Sequence, residues 1–262
     1  MSYTIPFEFD AGKYRQASNH QQEWGTRLIA EFNLRGVERI LDLGCGDGRL
    51  TAKLAELVPN GAVVGIESSQ NMIQAASTLA HERLSFRRLD INELDYESEF
   101  DLIFSNATLH WIKDHLQMLR NVYRALRIDG FCRLNFASDG NCSHFNDTVI
   151  SLMKQPEYEP FFRDFIWPWF MPTIGQYESL FPKTQFVEHR VWGENADRHF
   201  PDAKSMTAWI EQPSLVPFLR QFDGPEKQLF RDAAVERMLK LTRQLDGTQF
   251  ETFRRINVLA RK

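Results

Sequence analysis

The chain contains little cysteine, with only Cys45, Cys132 and Cys142 among its 262 residues. These three cysteines show no regular spacing, which excludes both the disulfide framework of a small secreted domain and the paired cysteines of a zinc site. An odd number also fits reduced thiols better than disulfide bonds. We therefore expect free thiols and no bound metal.

Long apolar runs are also missing. No stretch approaches the ~20 consecutive apolar residues that a membrane-spanning helix requires. Residues 1–6 lack the charged and then apolar pattern of a signal peptide. These absences predict a cytoplasmic protein with no membrane partner.

A basic excess is absent as well, because 31 Lys and Arg residues face 35 Asp and Glu residues, for a net charge of −4. Nucleic-acid-binding domains usually carry a basic excess, so this balance argues against a nucleic-acid partner. No internal repeat or low-complexity linker divides the chain. We expect one domain over residues 1–262, a small-molecule partner and a monomer.

The most informative segment that the chain does contain is glycine-rich. Residues 40–50, ILDLGCGDGRL, indicate a buried strand, a tight turn at Gly44, Gly46 and Gly48, and the start of a helix. The dinucleotide fingerprint spaces its glycines G-x-G-x-x-G around a pyrophosphate. Here the spacing is G-x-G-x-G, and Asp42 brings negative charge where phosphates would sit. A ligand with an amino-bearing or cationic head fits better, which points to S-adenosylmethionine.

Acidic residues end the next two predicted strands. Glu67 closes the apolar run 62–66, about 20 residues after the first motif, and can accept hydrogen bonds from two ribose hydroxyls. Asp90 follows the run 84–89 and can accept a hydrogen bond from an adenine amino group. The alternative is that the glycines merely form a tight turn. That alternative accounts for one glycine but not for the whole set.

Apolar periodicity alternates between strand and helix patterns along the first half of the chain. It predicts strands at 38–43, 62–66, 84–89, 101–105 and 131–136, with helices at 19–32, 48–57, 69–80 and 115–126. Such alternation predicts an α/β fold with a doubly wound, mostly parallel sheet. The cofactor half should span about 36–138.

The second half follows another pattern, dense in aromatic residues and broken by prolines. We expect a helical, aromatic-rich cap from insertions at about 139–184 and 196–248, with strands at 185–192 and 250–260 completing seven. A long helix is predicted at 225–245. Its expected buried stripe is Leu229, Ala233, Met238, Leu241 and Leu245.

Four segments of the chain resemble the class I S-adenosylmethionine-dependent methyltransferases: residues 41–48, 65–69, 89–91 and 126–131. Residues 100–115 and 253–262 are similar to the fourth-strand and last-strand motifs of trans-aconitate 2-methyltransferase and related carboxylate O-methyltransferases. The resemblance implies a Rossmann-like methyltransferase fold with an antiparallel last strand, S-adenosylmethionine as cofactor, and a methyl ester as product. The chain departs from the pattern at Arg254, where a proline is expected.

Motif and resemblance together give the candidate cofactor-binding residues. Tyr14 and Gln21 precede the first strand and can fold over the amino-acid end of the cofactor, although ordinary exposed polar residues would look the same in the sequence. The complete set is Asp42, Gly44, Cys45, Gly46, Gly48, Glu67, Ser68, Met72, Asp90, Ile91, Asn106, Tyr14 and Gln21.

Methyl transfer is an in-line displacement that needs an aligned nucleophile. A carboxylate is already ionised at pH 7 and needs no base, only cationic donors to hold it. Neighbouring residues on a strand face opposite sides, so only one of Arg254 and Arg255 can face the pocket, and the resemblance favours Arg255. His110 and Trp111 follow the fourth strand and complete the candidate catalytic set.

The sequence does not identify the methyl acceptor. A polycarboxylate such as trans-aconitate requires at least two cations, which Arg163, Arg198 and Arg220 could supply beside Arg255. With His110 as a general base, a nitrogen or carbon nucleophile is an alternative. A carrier-bound acyl carboxylate is another, and a catalytically silent S-adenosylmethionine-binding regulatory protein is a third.

Overall fold

The computed structural model describes residues 8, 12 and 19–262, apart from the side chains of residues 19 and 213. Tyr14 lies outside the described residues. The strands are β1 (Arg39–Leu43), β2 (Ala62–Glu67), β3 (Leu84–Arg88), β4 (Phe100–Asn106), β5 (Leu126–Ala137), β6 (Glu188–Asn195), β7 (Arg198–Phe200), β8 (Gln249–Glu251) and β9 (Arg254–Arg261). The helices of the described part are α1 (Asn19–Ala30), α2 (Arg49–Leu57), α3 (Gln70–Ser77), α4 (His115–Ala125), α5 (Ser143–Met153), α6 (Ile174–Glu178), α7 (Ala203–Trp209), α8 (Val216–Leu219) and α9 (Glu226–Thr242).

Seven strands form the central sheet in the order β3-β2-β1-β4-β5-β9-β6. β1 to β5 pair in parallel, whereas β9 runs antiparallel to both β5 and β6. The α/β class, the seven strands and the antiparallel last strand are confirmed. β7 and β8 form a separate two-stranded sheet.

Helices cover both faces of the sheet, which explains why four of the five residues of β1 are buried. Ile40 packs with Leu28 of α1 and Leu54 of α2 on one face. Leu41 packs with Val122 of α4 on the opposite face. Successive side chains of a strand point to opposite sides, so both neighbours are buried.

A third hydrophobic cluster forms the cap. Its rings include Phe145, Trp169, Trp209 and Phe218. Only the first part of the predicted insertion 139–184 belongs to the cap, however, because Tyr177 of α6 packs in the core of the sheet. The first cap insertion therefore ends before α6, and the cap resumes after β6.

The predicted buried stripe of the long helix is wrong for its leucines. α9 buries Phe230, Ala234, Met238 and Thr242, so Met238 lies where it was predicted and the other three follow the predicted positions by one residue. Phe230 decides the register, because its ring packs among Tyr158, Phe162 and Phe222 of the cap. The leucines left exposed are Leu229, Leu241 and Leu245.

Within residues 8, 12 and 19–262, no helix combines the length and the apolar character needed to cross a membrane. The same residues bring together no cluster of three His, Cys, Asp or Glu side chains suited to a metal ion.

Candidate active site

The turn between β1 and α2 uses its three glycines differently. Gly44, Gly46 and Gly48 all have positive φ, which L side chains rarely adopt. A Cβ atom on Gly44 would lie 2.1 Å from Thr108 Cγ2, and one on Gly48 would lie 2.8 Å from the Phe86 ring. A Cβ on Gly46 would meet nothing within 4 Å. Gly44 and Gly48 thus allow close packing, whereas Gly46 leaves room beside the backbone.

A cavity of about 460 Å³ opens at this turn, at the carboxyl ends of the parallel strands. At one end it is lined by six of the predicted cofactor residues, Gly44, Gly46, Glu67, Ser68, Asp90 and Ile91. Gln21 of α1 also lines it. A wider cleft of about 810 Å³ on the outside of α1 contains none of the residues of the glycine turn.

Glu67 fixes the end of β2 against the glycine turn. Its carboxylate accepts the backbone N–H groups of Gly46 at 3.2 Å, Ser68 at 2.8 Å and Ser69 at 2.9 Å. Burial raises the pKa of Glu67 above its usual value, and these hydrogen bonds oppose that rise. The carboxylate is therefore rigidly held at the wall of the cavity.

Asp90 lies at the same end of the cavity. Its Oδ1 accepts the backbone N–H and the side-chain Nδ2 of Asn92, both at 2.8 Å. This capping contact orients the carboxyl group of Asp90 at the end of β3.

Asp42 lies beneath the turn and is absent from the cavity wall. Its Oδ2 accepts the hydroxyl of Thr51 at 2.7 Å. Burial raises the pKa of Asp42 to about 7, the Thr51 bond opposes the rise, and the charge of Glu67 adds to it. Four other predicted cofactor residues are likewise set back from the cavity wall: Cys45, Gly48, Met72 and Asn106.

Asn106 forms a hydrogen bond to α1 and does not line the cavity. Its Nδ2 donates to the main-chain oxygen of Gln21 at 2.9 Å. Asn106 Oδ1 and Gln21 Oε1 are both buried and have no hydrogen-bond partner in the described part of the chain. Unused buried acceptors beside a cavity suit a ligand that brings its own N–H donors.

His110 and Trp111 stand on the one-turn helix Leu109–Trp111 that follows β4. Burial lowers the pKa of His110 to about 3, with smaller contributions from Arg255 and His115, so the ring is neutral at pH 7. Nδ1 of His110 is buried without a hydrogen-bond partner among the described residues. The Trp111 ring lies 5.6 Å from the His110 ring, and both line the cavity.

Arg255 lines the cavity and Arg254 does not. Nε and Nη2 of Arg255 donate to Oδ1 of Asn135 at 2.9 and 2.5 Å, and the guanidinium lies 4.5 Å from the Trp24 ring centroid. Arg254 forms an ion pair with Asp197. Side chains thus alternate along β9, with Arg255 toward the cavity and Arg254 away from it.

Comparison with known proteins identifies the family. A family model described as a methyltransferase domain matches residues 35–160. Trans-aconitate 2-methyltransferase of Deinococcus radiodurans is 30% identical over 84% of this chain and 86% of its own length. Malonyl-[acyl-carrier protein] O-methyltransferase of Bacillus anthracis is 35% identical over 79% of this chain and 72% of its own length. The chain belongs to the methyltransferase family.

The solved structure of phosphoethanolamine N-methyltransferase 2 from Haemonchus contortus, in complex with S-adenosyl-L-methionine, shares the fold. Its TM-score is 0.60 at 20% identity, covering 96% of this chain and 56% of that one. The prediction of an S-adenosylmethionine-dependent methyltransferase is confirmed.

The cations around the methyltransferase cavity differ from those predicted. Arg163 pairs with Glu159, Arg198 pairs with Glu23, and neither lines the cavity; Arg220 does not line it either. Lys113, which no motif in the sequence indicated, does line it. Its Nζ donates to the main-chain oxygens of Trp167 at 2.5 Å and Trp169 at 3.0 Å, and burial lowers its pKa.

The methyltransferase also draws cavity residues from elements that carried no motif. His20 and Trp24 come from α1, Phe253 precedes β9, and Trp209 ends α7. Burial holds the pKa of His20 well below its usual value, and the charges of Arg198 and Arg255 add to this effect. The aromatic density of the second half indicated a cap. The prediction of Gln21 already pointed to α1, but nothing in the sequence indicated that His20 and Trp24 of the same helix would join the wall.

Proposed function

We propose that this methyltransferase transfers the methyl group of S-adenosylmethionine to a carboxylate oxygen of a small organic acid and so forms a methyl ester. The observation that carries the proposal is Arg255, a buried arginine at the cavity wall. A guanidinium can bind both oxygens of a carboxylate through parallel hydrogen bonds.

The cofactor end of the cavity suits S-adenosylmethionine. Gly46 leaves the space that the ligand needs beside the backbone. The carboxylate of Glu67 can accept ribose hydroxyls, and Asp90 can accept the adenine amino group. Gln21 offers an unused acceptor for the ammonium group. We assign Ser68 and Ile91 to the same wall.

Five further residues support this wall from behind. Asp42 and Asn106 act through their bonds to Thr51 and to α1. The remaining three, Cys45, Gly48 and Met72, shape the turn and the helices behind it. Tyr14 stays a prediction.

The cofactor, when bound, supplies an electrophilic methyl group on a sulfonium sulfur. Arg255 binds and orients the acceptor carboxylate, which is ionised at pH 7 and needs no base. His110 is a poor general base at this pH because its pKa is about 3, but its ring can form one hydrogen bond to the acceptor. Trp111 and the cap rings exclude water from the cavity. This arrangement favours an acid over an amine or an alcohol.

A second candidate acceptor is an acyl carboxylate attached to a carrier protein. It is favoured by the similarity to malonyl-[acyl-carrier protein] O-methyltransferase at 35% identity. Such an acceptor also presents a single carboxylate, which one arginine can bind.

Transfer of a labelled methyl group tests the proposal. The purified protein is incubated with methyl-labelled S-adenosylmethionine and, separately, with free carboxylic acids, a malonyl-carrier protein, amines and phenols. We expect a product from one of the carboxylates whose label is released as methanol by mild base. Gly46→Val, which fills the space beside the turn, should lose cofactor binding and transfer together. Base-stable label on an amine, or tight cofactor binding with no transfer to any acceptor, would contradict the proposal.

A further inference from the structure

The half of the cavity away from Glu67 and Asp90 is walled by aromatic rings. Five of the six tryptophans of the chain line this one cavity: Trp24, Trp111, Trp167, Trp169 and Trp209. Phe145 and Phe253 stand among them.

Six of these rings form a continuous series, which we call the aromatic arc: Trp24, Phe253, Trp209, Phe145, Trp169 and Trp111. Successive ring centroids are separated by 5.4, 5.5, 6.0, 6.2 and 5.7 Å. The arc begins at Arg255, whose guanidinium lies 4.5 Å from Trp24, and ends at His110, 5.6 Å from Trp111. An acceptor held at Arg255 therefore has its remaining atoms against rings.

The aromatic arc offers few stabilising contacts to a second carboxylate on the acceptor. His20 and His110 at the two ends are neutral, because burial lowers the pKa of each. Lys113, the other cation at the cavity wall among the described residues, lies outside the arc, and two of its three N–H groups already donate to main-chain oxygens. A second or third carboxylate would lose its hydration against indole and phenyl rings without gaining an ionic partner from them, which is unfavourable.

The apolar lining continues from the arc to the surface. Ile166 lines the cavity although 74% of its surface is exposed, so it stands at the mouth. Inside the arc, Nε1 of Trp169 is buried with no hydrogen-bond partner among the described residues. The wall thus accepts an extended apolar chain and keeps one N–H donor for an oxygen atom of the acceptor.

We infer that the acceptor is a carboxylic acid with one carboxylate and an extended aliphatic or aromatic body, and that it is not a compact polycarboxylate such as trans-aconitate. This inference rests on the proposed function. In the reaction a carboxylate oxygen forms a bond to the methyl carbon while the carbon–sulfur bond breaks. The bonding electrons stay on sulfur, both opposite charges are neutralised, and no proton is released.

A chain-length series tests the inference. Initial rates are measured at saturating S-adenosylmethionine with straight-chain monocarboxylates from four to twelve carbons, with phenylalkanoates, and with trans-aconitate and citrate. Each added methylene that reaches the arc should lower KM about fourfold, until the arc is filled. The best monocarboxylate should exceed trans-aconitate in kcat/KM by about 100-fold or more.

A matched pair of variants at the mouth gives a second readout. Ile166→Lys places a cation beside the apolar path on an exposed residue, so the fold should tolerate it. It should shift the ratio of kcat/KM values toward trans-aconitate by about tenfold, whereas Ile166→Leu should leave the ratio unchanged.

The outcomes separate the two proposals. Ester formation that favours trans-aconitate, with no dependence on chain length, would overturn the inference and leave the proposed function standing. Ester formation on no acid, with transfer to an amine or phenol, would overturn both.

Discussion

Arg255 is held in place by a neutral neighbour. Two of its nitrogens donate to the side-chain oxygen of Asn135, whose own Nδ2 donates to Asn257 at 2.8 Å. Arg133 donates to the same oxygen of Asn257 at 2.9 Å. Because Asn135 carries no charge, its contact orients the guanidinium without neutralising it. Asn135 therefore adds no negative charge that would compete with an anionic acceptor.

Asn135→Asp tests this arrangement. The new carboxylate would pair with Arg255 and compete with the acceptor, so KM for the acid should rise at least tenfold, or about 1.4 kcal/mol. Affinity for the cofactor should change little, because Asn135 does not line the cavity. Asn135→Ala separates the lost hydrogen bonds from the added charge and should have a smaller effect. Equal KM values for the wild type and Asn135→Asp would show that Arg255 does not bind the acceptor carboxylate.

At the scale of single residues, the sequence predicted which residues lie near the site better than it predicted where their side chains point. Glu67 and Asp90 were found because acids at the ends of parallel strands meet at one edge. Asp42 ends a strand in the same way, yet its side chain turns beneath the glycine loop toward Thr51. Lys113 was missed because one lysine in a loop resembles any solvated lysine until the cap packs over it.

Among the elements, α1 packs closely against α2 and the end of β4. A Cβ atom on Gly25 would lie 2.2 Å from Cδ1 of the buried Leu50 and 3.0 Å from Nδ2 of Asn106. Asn106 also binds the main-chain oxygen of Gln21. These contacts hold Gln21 and Trp24 at the cavity, so the position of one helix determines part of both ends of the site.

Gly25→Ala should therefore destabilise the protein, although alanine has a higher helix propensity than glycine. Alanine in place of glycine normally stabilises a helix by about 1 kcal/mol. Here the added methyl group overpacks the contact with Leu50, and we expect a loss of about 1–3 kcal/mol in the free energy of unfolding, together with weaker cofactor binding.

Gly175 in α6 is the matched control, because its Cβ would meet nothing within 4 Å. Gly175→Ala should keep or raise stability and leave binding unchanged. Urea unfolding and cofactor titration of both variants check this expectation. Equal gains at the two glycines would show that α1 is not closely packed.

Element order could be predicted because strand and helix periods alternate regularly as far as β5. The cap could not be predicted in the same detail. Its rings pack by shape across several short segments, and the register of α9 depends on Phe230 entering that cluster, which no local period reveals. The packing of α6 likewise depends on a contact distant in sequence, between Tyr177 OH and Nδ1 of His115 in α4 at 3.1 Å.

At the scale of the whole molecule, the burial of Asp42 beneath the site lowers the stability of the folded protein near pH 7. Asp42 is buried where the glycine turn joins the sheet core, and its pKa rises from 3.8 to about 7. The folded protein holds this proton up to about pH 7, whereas the unfolded chain releases it near pH 4. The contribution of Asp42 to stability therefore falls as pH rises from 4 to 7.

Asp42→Asn removes this titration and keeps the size of the side chain. The free energy of unfolding of the variant minus that of the wild type should increase by about 3 kcal/mol as the pH rises from 5 to 8. The comparison uses urea unfolding of both proteins at the two pH values without added cofactor. A constant difference between the two proteins would mean that Asp42 is ionised in the folded state at both pH values.

The central claim is that Arg255 binds the carboxylate that receives the methyl group. Its most direct test compares Arg255→Gln with Arg254→Gln, the neighbouring arginine that pairs with Asp197 away from the cavity. The measurement is kcat/KM for ester formation on the best acid, in variants whose cofactor affinity and melting temperature match the wild type. We predict a loss of about 100-fold for Arg255→Gln and less than about twofold for Arg254→Gln. Similar rates for the two variants would contradict the account.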